Sequence, residues 1–251
     1  MPHDEPPYAL PWIQDHEALP PVTQTWGANS PAPGLLAAGH ELTVTRLLES
    51  YSHGIFPWFS VDQPILWWSP DPRMVLRPQG LRITRSLAKT LRNAHYEVRL
   101  DTAFAEVIAA CGSAPRDGQN GTWIVPEMVA AYENLHRQGY AHSAEVWLDG
   151  QLVAGLYFVA LGHAVFGESM FTTIPNGSKM ALACLVSVCL EHGIPMIACQ
   201  QNTRHLASLG AREMARTEFM EGITRERQQS PVDWALQSLY WDSLMALDNC
   251  A

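Results

Sequence analysis

Three apolar segments joined by tight turns constrain the fold of this chain more than any other feature of its sequence. Asp149-Gly150 separates the first from the second, and Gly162-His163 separates the second from the third. Such glycine-containing pairs are typical of two-residue hairpin turns, in which the backbone needs positive φ angles. The segments therefore predict three strands that pair as an antiparallel meander. They cover residues 143–148, 151–160 and 164–170.

The sequence after the meander predicts a helix, a strand and a second helix. Asn176 or Ser178 can cap an apolar helix that Gly193 ends, because Asn and Ser are favoured at helix N-caps and Gly just after the last turn. Residues 195–199 then predict a short buried strand and residues 205–209 a short helix. This order of elements is that of an acetyltransferase-like (GNAT) domain. We therefore predict an α+β fold built on a mixed sheet.

The first part of the chain has a different character. Residues 1–40 are rich in proline and poor in periodicity, and Pro70 and Pro72 interrupt the chain again. We therefore predict a small N-terminal domain over residues 1–71 and an acetyltransferase-like catalytic domain over residues 72–251. Further helices are predicted where apolar residues recur at helical spacing. They cover residues 43–51, 84–94, 126–138 and 234–247.

Composition limits the functional classes. The apolar runs fall short of the roughly 20 residues that span a bilayer, and the first residues are acids and prolines, unlike a secretory signal. We therefore expect a cytoplasmic protein with no membrane partner. The five cysteines contain no CxxC pair and the ten histidines no HExxH cluster, so we expect no metal site. The net charge of -9 predicts that any contact with nucleic acid is small and local, because proteins that grip long stretches of phosphate are usually basic.

Two familiar enzyme motifs are incomplete in this chain. The segment Gly167–Phe171 lacks the second glycine of the G-x-S-x-G nucleophile elbow, which argues against a serine hydrolase. An acetyltransferase that uses acyl-coenzyme A needs a glycine-rich turn whose backbone amides hold pyrophosphate at a helix start. The corresponding turn, residues 174–179, has one glycine and a proline without an N–H. We therefore expect the fold without the coenzyme, and no cofactor.

Six sequence blocks, in order within residues 34–219, carry a specific resemblance. Any one block is a weak signal, but six in this order and spacing are specific. The blocks are Gly54–Phe59, Trp67–Arg73, Gly121–Ile124, His142–Trp147, Gly167–Phe171, and Cys199–Gln200 with His205–Ala211. In these blocks the chain resembles leucyl/phenylalanyl-tRNA–protein transferases.

The resemblance implies an aminoacyltransferase of a bacterial, cytoplasmic family. Its implied activity is transfer of Leu, Phe or sometimes Met from aminoacyl-tRNA to proteins that begin with Arg or Lys, which marks them for N-degron proteolysis. The implied partners are the 3′ end of the charged tRNA and the N-terminus of the acceptor protein. We expect a monomer.

Two polar residues suit this chemistry. The donor is already an activated ester, so the enzyme mainly has to orient two substrates and stabilise the oxyanion of the tetrahedral intermediate. Gln200 suits carbonyl orientation, because an amide offers two donors and an acceptor. Glu168 can bind the cationic terminus of the acceptor or hold its amine, although a structural carboxylate bonded to backbone is the alternative.

The resemblance also assigns binding residues. Trp58 and Trp123 match the platforms for the terminal adenosine, where aromatic stacking contributes roughly 1–3 kcal/mol per base. A basic helical face matches the site for the tRNA acceptor stem and consists of Arg85, Lys89 and Arg92. The apolar amino-acid pocket is matched by Leu156, Met170, Leu182, Leu185, Cys189 and Ile197. By composition alone, the tryptophans and the pocket residues would be core residues and the basic residues a solvated face.

The chain departs from the family pattern at two places. The family carries an acidic residue two positions before the glutamine, where this chain has Ala198, and removing such a group costs on the order of 10²–10³ in rate. Leu185 and Cys189 replace larger aromatic residues, which predicts a roomier pocket. Two alternatives therefore stay open. One is a weakly active or non-catalytic module that binds aminoacyl-tRNA ends or N-termini, and the other is a transferase closer to the tRNA-dependent enzymes of cell-wall peptide synthesis.

Overall fold

Two sheets organise the computed structural model, which describes residues 8–92, 95–114, 124–235 and residue 244. The first sheet has four strands in the order β1-β2-β4-β3, of which β1 and β2 pair in parallel and the others antiparallel. Helix α1 crosses between its second and third strands along the chain. These elements are β1 (Trp12–Ile13), β2 (Leu35–Gly39), α1 (Val44–Ser52), β3 (Phe56–Pro57) and β4 (Ile65–Trp68).

The second sheet has seven strands and is mixed, which confirms the α+β prediction. Its order is β11-β5-β10-β9-β8-β7-β6, and all neighbours are antiparallel except β9 and β10. Its elements are β5 (Arg73–Leu76), α2 (Arg85–Leu91), β6 (Tyr96–Leu100), α3 (Phe104–Ser113), α4 (Pro126–Arg137), β7 (Ala141–Leu148), β8 (Gln151–Leu161), β9 (Ala164–Thr172), α5 (Gly177–Glu191), β10 (Ile197–Ala198), α6 (Arg204–Ser208), β11 (Arg212–Met214) and α7 (Arg216–Glu226).

The meander predicted from the turn residues is confirmed as β7, β8 and β9. Asp149 and Gly150 have φ angles of 52° and 76°, and Gly162 has 57°, so each turn uses the positive φ values that its sequence favours. Helix α5 and the parallel strand β10 follow in the predicted order. The cavity of the candidate site lies where β10 pairs with β9.

The predicted helix starts are confirmed where a threonine caps them. The side chains of Thr43 and Thr84 accept from the backbone amides at the starts of α1 and α2. Asn176 stands at the N-cap position of α5 but its side chain does not cap, because the residue has a φ of 63° and donates instead to Ser86 of α2. Strands β1 to β6 and β11 and helices α3 and α7 were not predicted. Most of the helix predicted over residues 234–247 lies outside the described residues.

Helices cover both faces of the seven-stranded sheet. Along β5, Met74 and Leu76 belong to the core around α2 and α5, whereas Val75 belongs to the core around α1, α3, α4 and α7. This alternation follows from the two-residue period of a strand. We call these the α5 face and the α4 face of the sheet.

Candidate active site

The parallel strands β9 and β10 separate soon after they pair, and a cavity opens between them. Their register joins Ile197 to Val165 and Ala198 to Phe166, after which β9 continues to Thr172 without a parallel partner. The cavity has a volume of about 240 Å³ and lies at this opening. It is lined by Leu76, Leu156, Tyr157, Gly167, Glu168, Ser169, Met170, Leu182, Leu185, Ile197, Cys199, Gln200, Thr203, His205 and Leu206.

The structure gathers most of the predicted pocket residues around this cavity. Leu156, Met170, Leu182, Leu185 and Ile197 all line it. Cys189 does not, because it is fully buried in the core of the α5 face. The cavity is completed on the apolar side by three residues that the sequence analysis did not assign to it, namely Leu76, Cys199 and Leu206.

A β-bulge places Glu168 at the mouth of the cavity. Phe158 pairs with Gly167 and Tyr157 pairs with Ser169, so no residue of β8 stands opposite Glu168. A bulge of this kind re-aims a side chain and is frequent next to active sites. Here the Glu168 carboxyl reaches Tyr132 in the core of the α4 face, and the residue also lines the cavity.

The two predicted polar residues are directly joined. Nε2 of Gln200 donates to Oε2 of Glu168 at 2.9 Å. Gln200 is half-buried and Glu168 is buried, with 7% of its surface exposed. The carboxyl of Glu168 therefore orients the amide of Gln200.

Two tyrosines extend this contact into the core of the α4 face. The hydroxyl of Tyr132 donates to Oε2 of Glu168 at 3.4 Å, and the hydroxyls of Tyr51 and Tyr132 lie 2.5 Å apart. Both side chains are fully buried. Burial, and then the charge of Glu168, raise the pKa of each phenol well above its ordinary value, so both remain protonated. Sequence analysis missed both residues, which lie far from Glu168 along the chain.

A buried arginine completes the cluster. Arg73 of β5 is 2% exposed, its Nη1 donates to the carbonyl of Gly54 at 3.2 Å, and its guanidinium lies between two aromatic rings. The distances to the centroids of Phe56 and Phe219 are 4.7 and 4.9 Å. Burial lowers the pKa of Arg73 to about 10, against the opposing charge of Glu168, so the side chain stays cationic at neutral pH. Arg73 ends one of the six sequence blocks, but its sequence position alone indicates no role.

The surroundings of Glu168 bring the pKa of its carboxyl close to neutral pH. Burial raises the pKa of this carboxyl to about 7. Hydrogen bonding by Tyr51, the charge of Arg73 and the bonds from Tyr132 and Gln200 oppose that rise. Glu168 is therefore a carboxyl that gains and loses a proton near physiological pH, which is the range useful to a general base.

Ala198 faces the cluster and does not line the cavity. It pairs with Val75 and Phe166 and shares the core of the α4 face with both. Its neighbours Ile197 and Cys199 belong to the α5 face and line the cavity. Cys199 is no nucleophile, because burial raises the pKa of its thiol to about 12.

The predicted adenosine platforms are only partly described. Trp58 follows β3 in the first sheet, is half-buried, and packs against Trp68 with ring centroids 5.4 Å apart. The backbone carbonyl of Trp58 also accepts from Nε1 of Trp68 at 2.7 Å. The structure does not bring Trp58 to the lining of the cavity. Trp123 lies outside the described residues.

The predicted basic face is exposed on α2. Arg85, Lys89 and Arg92 all lie at the surface. Helix α2 is tied to the start of α5 through Nδ2 of Asn176, which donates to Oγ of Ser86 at 2.9 Å. His205 lines the cavity, and burial lowers its pKa. The charge of Lys179, in the first turn of α5, lowers that pKa further. Positive charge therefore extends from α2 towards one side of the opening.

Neither a metal cluster nor a membrane helix is found in the described part of the chain. Within residues 8–92, 95–114 and 124–235, no group of three or more His, Cys, Asp or Glu side chains could hold a metal ion. Over the same ranges, no helix is both long and apolar enough to cross a bilayer.

Comparison with known families decides the family of the chain. The model of the leucyl/phenylalanyl-tRNA protein transferase family matches residues 75–224, and that of its N-terminal domain matches residues 40–71. This chain is a member of that family. The family name makes it an aminoacyltransferase with tRNA and protein substrates.

Its relatives match over nearly the whole length. Leucyl/phenylalanyl-tRNA–protein transferases from Polaromonas sp. and Albidiferax ferrireducens are 52% and 51% identical over 247 residues, covering 97% of this chain and 97% of each relative. The enzyme of that name from Paraburkholderia xenovorans is 52% identical over 229 residues, or 90% of this chain and 94% of its own.

Solved structures of lower similarity include two acetyltransferases. A GCN5-related N-acetyltransferase from Kribbella flavida is 14% identical with a TM-score of 0.34, covering 66% of this chain and 58% of its own. A ribosomal-protein-alanine N-acetyltransferase from Brucella melitensis is 15% identical with a TM-score of 0.32, covering 57% of this chain and 96% of its own.

Proposed function

We propose that this family member transfers Leu or Phe, and in some cases Met, from aminoacyl-tRNA to acceptor proteins that begin with Arg or Lys. The observation that carries the proposal is the apolar cavity that opens beside a buried carboxyl and a glutamine. An apolar recess next to polar groups that act on a carbonyl is the arrangement that transfer of an apolar amino acid needs.

In this proposal the donor side chain enters the cavity. Leu156, Leu182 and Leu185 surround it on the apolar side, and Met170 and Ile197 border it from the two parting strands. The ester carbonyl then lies near Gln200. One N–H of the Gln200 amide donates to Glu168, which leaves a second N–H and the carbonyl oxygen of the amide. We assign this second N–H to the oxyanion that forms in the transition state.

The acceptor amine approaches from the side of Glu168. Its nitrogen forms a bond to the ester carbon, and the bond from that carbon to the ribose oxygen then breaks. The amine must lose a proton, which the Glu168 carboxylate, with a pKa raised to about 7 by burial, can accept and then return to the departing ribose oxygen. The hydrogen bonds from Gln200 and Tyr132 both end on Oε2 of Glu168, and Tyr51 also acts on this carboxyl.

The tRNA is held at its end only. Stacking of the terminal adenosine on Trp58 and Trp123, with phosphate contacts from Arg85, Lys89 and Arg92, gives a small footprint on a chain of net charge -9. We expect no cofactor to take part. We further propose that the protein works as a cytoplasmic monomer with a domain boundary at residues 71 and 72, and that its products are N-degron substrates.

One observation favours a second candidate, a weakly active or non-catalytic binding module. Ala198 faces the cluster with a methyl group where the family pattern has a carboxylate. A protein without that group could hold aminoacyl-tRNA or an N-terminus and transfer slowly.

A single assay separates these candidates. The protein is incubated with labelled Phe-tRNA and a peptide that begins with Arg, with the same peptide beginning with Ala as the matched acceptor control. We expect label in the Arg peptide alone. Retention of tRNA without transfer supports the binding module, and transfer only to a cell-wall-type peptide would replace both proposals.

A further inference from the structure

The Glu168 carboxyl borders the core of the α4 face, to which several helices and strands contribute. Helices α3 and α7 contribute apolar side chains to this core, such as Val107 and Phe219, and β8 contributes Tyr157 next to Tyr132. The polar groups that act on it are Tyr51 of α1, Tyr132 of α4, Gln200 beyond β10 and Arg73 of β5. Among the described residues, Arg73 is the positive charge that acts on this carboxyl.

Strand register places Arg73 close to Gln200, whose amide is bonded to Glu168. Val75 of β5 stands opposite Ala198 of β10, and the amide of Cys199 donates to the carbonyl of Met74 at 2.8 Å. The antiparallel register therefore continues and brings Arg73 towards Gln200 on the α4 face. Diagonal neighbours in such a ladder are within reach of long side chains.

The guanidinium is fixed in place by contacts that do not neutralise it. Two aromatic rings and the backbone carbonyl of Gly54 hold it. Gly54 has a φ of +67° and lies against side chains of α7, so the chain can leave α1 close to that helix. Its Nε is buried and has no hydrogen-bond partner among the residues that the structure describes. A buried cation held this way needs a negative charge nearby.

Ala198 determines which carboxylate meets that need. A carboxylate at this position would lie diagonal to Arg73. The positive charge of Arg73 would then act on two carboxylates, this one and that of Glu168. With alanine there, the cluster holds one cation and one carboxyl, and Glu168 is the acid whose charge acts on Arg73. The buried charges are then balanced when Glu168 is ionised.

We propose that Arg73 is a positioning residue of the active site, whose buried guanidinium is the counter-charge that keeps the Glu168 carboxylate ionised beside the cavity. Its importance for catalysis rests on the proposed function, because Glu168 must be ionised to accept a proton from the acceptor amine. Its electrostatic effect does not depend on tRNA or acceptor and can be measured without them.

The test is a titration of Glu168 by NMR in protein labelled with ¹³C at the glutamate carboxyls. Arg73→Met keeps the contacts with Phe56 and Phe219 and removes the charge, and Arg73→Lys keeps a charge. We expect Arg73→Met to raise the pKa of Glu168 by roughly one unit or more, and Arg73→Lys to leave it within a few tenths of wild type. Arg77→Met, an exposed arginine just after β5 that pairs with Glu218, is the matched control and should change nothing.

A second pair of variants covers the case in which Arg73→Met does not fold. Ala198→Asp adds a carboxylate beside Arg73 and Glu168, and Ala198→Asn adds a side chain of the same size without charge. We expect Ala198→Asp to raise the pKa of Glu168 by roughly one unit relative to Ala198→Asn. An equal Glu168 titration in wild type and folded Arg73→Met, or in the two Ala198 variants, overturns the proposal.

Kinetics connect the titration to catalysis. In single-turnover transfer, the acid limb of the pH profile should move upward in Arg73→Met by the same interval as the Glu168 titration, with activity recovering at higher pH. A merely structural role would lower the rate equally at all pH values. If no variant transfers but the titrations shift as expected, the proposed function fails while the electrostatic role of Arg73 stands.

Discussion

Glu145 and Glu168 are two buried carboxyls on the same face of the same sheet, and they are built in opposite ways. Glu145 stands in the regular ladder of β7, opposite Gly155 of β8, and is completely buried. It accepts from the backbone amides of Thr102 and Ala103 at the start of α3 and from the hydroxyls of Thr102 and Ser143.

Glu168 accepts fewer hydrogen bonds than Glu145. It is the extra residue of a bulge, borders a cavity, and accepts from an amide and a phenol beside a buried arginine. A carboxylate satisfied by backbone amides at a helix start stabilises the fold. A carboxyl at a bulge, with neighbours that leave its proton affinity near neutral pH, is suited to chemistry. The comparison predicts that the two residues separate stability from activity.

The largest effect is expected from Glu168→Gln. The amide keeps the size of the side chain but cannot accept a proton, so the transfer rate should fall roughly 10²- to 10⁴-fold. Donor affinity should change little, because the apolar cavity is intact. Single-turnover transfer and equilibrium binding of aminoacyl-adenosine measure the two quantities. A rate within a few-fold of wild type would remove Glu168 from the chemistry.

Glu145→Gln should do the reverse. Its amide group would face backbone N–H donors at the start of α3, and several buried hydrogen bonds to a charged group would be lost. The free energy of unfolding should fall by roughly 3–5 kcal/mol. Urea denaturation gives this value, and transfer by the fraction that remains folded should stay near wild type. Equal destabilisation by Glu168→Gln would erase the distinction between the two carboxyls.

The raised pKa of Glu168 should also appear in the pH dependence of stability. Because burial raises the folded-state pKa of Glu168 to about 7, the folded protein keeps this proton through the range in which the unfolded chain, titrating near 4.5, has lost it. The contribution of Glu168 to stability is therefore full below pH 4.5 and is lost as pH rises towards 7, by about 3 kcal/mol. Urea midpoints at pH 5 to 8 should fall more steeply in wild type than in Glu168→Gln. Parallel curves would mean that Glu168 has an ordinary pKa.

How far the sequence predicts this site depends on the range of the interactions. The meander, α5 and β10 were predictable because turn pairs, caps and apolar periodicity are local signals. Leu182, Leu185 and Cys189 share helical spacing, but α5 is buried all round from Met180 to Cys189, so periodicity cannot say which side meets the cavity. The family resemblance assigned Cys189 to the pocket, and local periodicity could not correct that assignment, because it does not show that Cys189 lies in the core.

The buried cluster depends on tertiary packing that no local pattern encodes. Tyr51 and Tyr132 are 81 residues apart, and Tyr132 and Glu168 are 36 apart. The bulge at Glu168 is a register shift that alternation alone does not reveal. Family resemblance could identify Glu168 and Gln200 by their blocks, but the direct bond between them needed the fold.

The smallest expected effect comes from adding a carboxylate on the Glu168 side. The carboxylate that Ala198→Asp introduces faces Arg73, so the guanidinium can balance its negative charge. Measured at pH 8.5, above the titration of Glu168, turnover should rise at least about tenfold, which is about 1.4 kcal/mol of barrier. Donor affinity should change little, and Ala198→Asn should show no gain. If both variants turn over like wild type, a carboxylate at this position has no part in the mechanism of this chain.

The central claim is that the cavity between β9 and β10 holds the donor amino acid beside Gln200 and Glu168. The most direct measurement is a crystal structure with a non-hydrolysable 3′-amide analogue of phenylalanyl-adenosine. The account predicts the phenyl ring among Leu156, Leu182 and Leu185, with the carbonyl oxygen within hydrogen-bond distance of the Gln200 amide. A ring bound elsewhere, for example in the surface groove between Phe59 and Pro126, with the cavity empty, would contradict it.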